Sequence, residues 1–76
     1  MLTAAQIRMA RAALSVSVRE LSELTGVAES TIHRFETSRG GMQTGTLAKL
    51  QAALEKQGVL FVHPDTNGGA GVRLRL

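Results

Sequence analysis

The chain has 76 residues, no cysteine, and nine Lys and Arg against six Asp and Glu, for a formal net charge of +3. That length accommodates one small domain rather than two, and the missing thiols exclude disulfides and thiolate metal sites as sources of stability. No apolar run is long enough to span a bilayer, and the start, Met1-Leu2-Thr3-Ala4-Ala5-Gln6, lacks the basic residues and apolar stretch of an export signal.

A first helix is predicted over residues 4–14. Thr3 and Gln6 have the spacing of a capping box, and Leu2 and Ile7 that of a hydrophobic staple across it. Ile7, Ala10 and Leu14 recur at the helical period and define a buried face. Arg11 falls on the same face, where a charge requires a partner. Ser17 and Glu20 repeat the capping box for a second helix, with Val16 and Leu21 as its staple. Gly26 stops that helix and supplies left-handed backbone for a sharp turn. A third helix over 29–36 directs Ile32 and Phe35 inward, with Val27 and Ile32 as a third staple. Its N-cap position holds Ala28, which offers no oxygen to the first-turn N–H groups and costs about 1 kcal/mol against Ser or Thr.

Residues 37–44 are small and polar and read as a loop. A fourth helix is predicted over 46–57, with Leu47, Leu50 and Leu54 on one face and Gly58 as its stop. The hydrophobic period then changes. Residues 59–63 are β-prone, residues 72–76 alternate apolar and basic, and residues 64–71 between them carry turn chemistry. The expected fold is mainly α: a four-helix core over 1–58 and a β-hairpin with a long, mobile turn over 59–76, in one domain.

Residues 17–33 thus place two short helices about one glycine, which is a helix-turn-helix, a motif that sets its second helix in the major groove of DNA. The stretch 14–36, with its Ser-x-x-Glu-Leu start, Gly-Val turn and Ser-Thr-Ile-x-Arg-Phe-Glu end, resembles the phage-repressor-type regulators called the xenobiotic-response-element family. The resemblance covers about the first 57 residues, with apolar and small residues in the family's places at 21, 22, 26, 27, 32 and 35. It departs at Ala28, where a capping hydroxyl is usual, and at Leu24, where a polar residue is usual.

The resemblance implies that Glu29, Ser30 and Arg34 reach base edges, flanked by Thr31 and His33. The helical period agrees: with Ile32 and Phe35 inward, Glu29, Ser30, His33 and Arg34 lie outward. Seven of the nine cations are Arg, and the Arg34 fork suits guanine O6 and N7, a pairing worth about 1–3 kcal/mol of discrimination. Glu29 either accepts from cytosine N4 or answers the helix dipole. Phosphate contacts are expected from Arg19, Thr37, Ser38 and Arg39, and from the backbone near Gln43 and Thr44. Arg39 could instead be a solvated loop charge. The resemblance also implies an ion pair between Arg11 and Glu36 that ties the third helix to the scaffold, the alternative being two independent surface charges.

One recognition helix gives a small interface, so a homodimer on two half-sites of double-stranded DNA is expected. Its seam is expected on Val59, Leu60, Phe61, Val62, Val72, Leu74 and Leu76, by pairing of hairpin edges. Alternatively those residues cover the domain's own core. His33 and His63 lack metal-ligand spacing and no serine sits in a catalytic frame, so no metal, no cofactor and no enzymatic activity are expected. These readings converge on a bacterial, cytoplasmic, nucleoid-associated transcriptional regulator, a repressor on a palindromic operator. The alternative is an antitoxin-like or adaptor protein that binds another protein, at which Leu24 hints.

Overall fold

A computed structural model describes residues 2–75. Four helices, α1 (Ala4–Leu14), α2 (Val18–Thr25), α3 (Glu29–Glu36) and α4 (Thr44–Lys56), precede two strands, β1 (Val59–Val62) and β2 (Gly71–Leu74). The strands form a two-stranded antiparallel sheet, so the fold is mainly helical with a C-terminal hairpin, as the sequence predicts.

Both capping boxes form. The Gln6 N–H donates to Thr3 Oγ1 at 3.1 Å and the Thr3 N–H to Gln6 Oε1 at 3.0 Å. Ser17 and Glu20 exchange the same two bonds, each at 3.0 Å. The carboxylate of Glu20 accepts the Ser17 backbone N–H, and this bond, with that to the Ser17 side chain, holds its pKa below the usual range. Helix ends are equally regular. The Ser15 N–H reaches the Ala12 carbonyl and the Val16 N–H the Arg11 carbonyl; Ser38 and Arg39 repeat this onto Phe35 and Arg34. Those paired bonds are Schellman motifs, and they put Ser15 at φ 57° and Ser38 at φ 58°, where glycine is usual.

The core joins all four helices to the first strand. Ile7, Leu21, Ile32, Leu50, Leu54 and Val59 are its largest fully buried side chains, with Leu2, Ala10, Val27 and Leu47 around them. Phe35, Phe61 and Val72 pack against it from partly buried positions. In the sheet, Val59 pairs with Leu74, Leu60 with Arg73, Phe61 with Val72 and Val62 with Gly71. Directly opposed residues share a face, so Val59, Phe61 and Val72 face the core, with exposed Leu74 on the same side at the open end, and Leu60, Val62 and Arg73 lie on the other. The Arg75 N–H donates to the Gly58 carbonyl, and by the alternation of antiparallel ladders Leu60–Arg73 and Val62–Gly71 are hydrogen-bonded pairs.

Three elements differ in their boundaries from the sequence reading. Helix α4 starts at Thr44 instead of 46 and ends at Lys56. The Leu47 N–H bonds to the Gln43 carbonyl, and burial of Leu47, Leu50 and Leu54 carries the weak helix formers Thr44, Gly45 and Thr46 into the first turn. Strand β1 stops at Val62, ahead of Pro64, and β2 begins one residue early, at Gly71. The segment between them carries its own hydrogen bonds. Asp65 donates its N–H to the Gly68 carbonyl at 2.9 Å, while its Oδ1 accepts from Asn67 N–H at 2.8 Å and Gly68 N–H at 3.0 Å. A single Asx turn therefore closes the hairpin tip.

Candidate functional site

The turn between α2 and α3 is built by Gly26 and Thr25, with the Lys49 ammonium close by. Gly26 takes φ 76° and its N–H bonds the Ser22 carbonyl. Lys49 Nζ lies 3.6 Å from where a Cβ at this position would sit, bringing a cation to the C-terminal end of α2, where the helix dipole favours one. The buried Thr25 hydroxyl donates to the Leu21 carbonyl at 2.8 Å and accepts the Val27 N–H at 3.2 Å. Neither Thr25 nor Lys49 was legible as a turn residue, because both act through contacts that periodicity does not encode.

Helix α3 leaves this turn with one face held and one face free. Ile32 and Glu36 are buried, and Phe35 and Thr31 are half-buried. Glu29, Ser30, His33 and Arg34 are exposed side by side, as the inward placement of Ile32 requires. Two arginines of α1 grip the C-terminal end. Arg11 Nε donates to Glu36 Oε2 at 2.7 Å and its Nη2 to Oε1 at 2.8 Å, a two-pronged pairing, while its Nη1 donates to the Val16 carbonyl at 3.2 Å. Arg8 Nη1 donates to the Glu36 backbone carbonyl. The bonds to Glu36 raise the Arg11 pKa above its ordinary value, against the opposing effect of partial burial. Arg8 was missed in the sequence because its position lies on the solvent face of α1; its reach comes from its length.

The residues expected at phosphate lie on α2, in the segment after α3 and at the start of α4. Arg19, Thr37, Ser38, Arg39, Gln43 and Thr44 are all exposed. Arg11–Glu36 is the ion pair among the described residues, leaving the guanidinium groups of Arg19, Arg34 and Arg39 unpaired there. Thr37 differs from expectation in one respect: its hydroxyl donates back to the His33 carbonyl at 2.8 Å, so its proton is already engaged. The helices also divide by their N-termini. Helices α1 and α2 are capped by side chains; α3, behind Ala28, and α4, behind Gln43, are not. The N-termini of α3 and α4 therefore lack side-chain caps.

The hairpin residues are distributed over two environments. Val59 is fully buried in the core, and Phe61 and Val72 pack against it. Leu60 and Leu74 are exposed and Val62 is half-buried, while Leu76 lies outside the described residues. Leu24 on α2 is 48 % exposed. Among the described residues no group of three or more His, Cys, Asp and Glu is placed to hold a metal ion, and no helix is long and apolar enough to cross a membrane.

No curated protein matches the chain. A family model described as a helix-turn-helix domain matches residues 3–61, from the N-cap of α1 through Phe61 in β1.

Proposed function

The chain belongs to the helix-turn-helix domain family, and on that premise we propose that it is a sequence-specific DNA-binding transcriptional regulator of the phage-repressor type. The observation that carries this reading is the division of α3. Its inner face is anchored by Ile32 and the Arg11–Glu36 pair, and its outer face presents Glu29, Ser30, His33 and Arg34 together. A helix held that way can enter the major groove as a rigid reading head. Arg34 reads a guanine, and Arg19, Ser38 and Arg39 with the uncapped starts of α3 and α4 meet phosphate. The reading places the protein in a bacterial cytoplasm, acting by occlusion of a promoter and without catalysis.

It binds a palindromic operator as a homodimer, with half-sites about 34 Å apart. Because Val59, Phe61 and Val72 serve the core, the surface left for a second copy is the outer face and open end of the hairpin, around Leu60, Val62 and Leu74.

Selection of bound duplexes from a random pool, at stated salt, supplies the operator. On it, Arg34→Ala should relax preference at one base pair, by about 1–3 kcal/mol. Arg19→Ala should weaken all sequences alike and reduce the salt slope by about one. An Arg34→Ala protein with unchanged preference would remove the reading. The exposure of Leu24 favours a second reading, an antitoxin-like or adaptor protein docked through α2. That reading predicts co-purification of a specific protein partner that Leu24→Asp abolishes while DNA binding is unaffected.

A further inference from the structure

Gln6 does more than its capping box requires. Its side chain is buried, with 2 % of the residue exposed. Oε1 accepts the Thr3 N–H at 3.0 Å, and Nε2 donates to two backbone carbonyls of the hairpin, Val62 at 3.2 Å and Gly71 at 3.1 Å. Those two residues are cross-strand partners, so one amide spans both strands of the ladder. The orientation of the amide is forced, because turning it over would set its oxygen against two carbonyl oxygens. A capping box accepts Glu and Gln alike at this position; only Gln adds donors to the second lone pairs of the sheet carbonyls.

The position of Gln6 along α1 gives this bond its reach. Helix α1 packs on β2 and on α3. Gln6 bolts the hairpin to it, and Arg8 and Arg11, within five residues on the same helix, hold the end of α3. One short helix thus connects the hairpin to the reading head.

We propose that Gln6 is a positioning residue that locks the hairpin to α1 and thereby fixes the orientation of the hairpin relative to α3. Resting on the homodimer reading, it follows that Gln6 sets the half-site spacing that the two reading heads accept. Gln6 touches no base and no phosphate in this assignment; it acts through the hairpin.

The test is Gln6→Glu in the full chain, which keeps the cap acceptor and places an oxygen where the donors were. Amide hydrogen exchange should show Val62, Gly71 and Arg73 losing protection by at least about tenfold relative to the amides of α2 and α3. Affinity for a duplex with a single half-site should stay unchanged. Affinity for the palindrome at its preferred spacing should fall, and the preference among spacings should flatten. Wild-type protection of the hairpin amides would overturn the proposal, as would an equal loss on half-site and palindrome, which is the mark of a general stability effect. If Gln6→Glu does not fold, Gln6→Met removes the donors without adding a charge, and the same exchange pattern decides. Should the wild-type chain sediment as a monomer and bind both duplexes equally, the homodimer reading fails, while the exchange experiment still decides the lock.

Discussion

Glu36 keeps 4 % of its side chain exposed and Arg11 24 %, so the two halves of this ion pair depend on each other unequally. Arg11→Ala strands a buried carboxylate and should cost about 3 kcal/mol or more. Glu36→Ala leaves a guanidinium that reaches water and keeps its bond to Val16, and should cost nearer about 1–2 kcal/mol. Urea unfolding of both variants checks the order, and equal losses would contradict it. The helical period marked Arg11 as needing a partner, and resemblance named Glu36; the second arginine, Arg8, did not enter at all, since no pattern of polarity separates a clamp from a solvated charge. Ser38 shows another limit. Its left-handed conformation follows from the geometry of the helix end, and the residue type gives no warning. Ser38→Gly should raise stability by up to about 1 kcal/mol in thermal melts.

At the level of elements, the start signals of α1 and α2 were fully legible because a capping box is written in two residues. The start of α4 was not. Its first turn has no side-chain cap and weak formers, and is imposed by the leucines that follow it. Helix α3 shares the missing cap, and Ala28→Ser should restore it, with a gain of about 1 kcal/mol read as a rise in Tm. If phosphate takes up those N–H groups in the complex, the added hydroxyl competes with it, so the variant gains stability without gaining affinity. The cap of α2 carries a pH signature. The pKa of Glu20 is lowered in the folded chain, so its contribution is present above the ordinary carboxylate range and is lost as pH falls through the lowered value. Glu20→Gln keeps the reciprocal bond and removes the charge, and should flatten that part of the acid limb in a stability-versus-pH series.

For the molecule as a whole, the sequence announced the hairpin but left open whether it was an appendage or part of the core. Register and docking decide this, and neither is visible until α1 and α4 are in place. With Val59 fully buried, deleting the chain from residue 59 should unfold the helices rather than release a monomeric four-helix domain. Leu60→Glu is the cleaner probe, because Leu60 is exposed on the outer face. On the homodimer reading it should abolish dimer sedimentation and remove the dependence of Tm on protein concentration without unfolding the monomer; a dimer that survives it would move the seam elsewhere.

The seam between α1 and β2 joins the beginning of the described chain to its end, with Gln6 and Gly71 separated by 65 residues. Contacts so distant close late, since the loop they span must be ordered first. On the ribosome, α1 emerges well before the strand that completes its packing. The helix-turn-helix is therefore present as sequence long before it is held as a rigid body. Chains cut before residue 71 would carry the whole of α3 but lack the brace, so on the proposed reading they should bind DNA less tightly than chains that include β2.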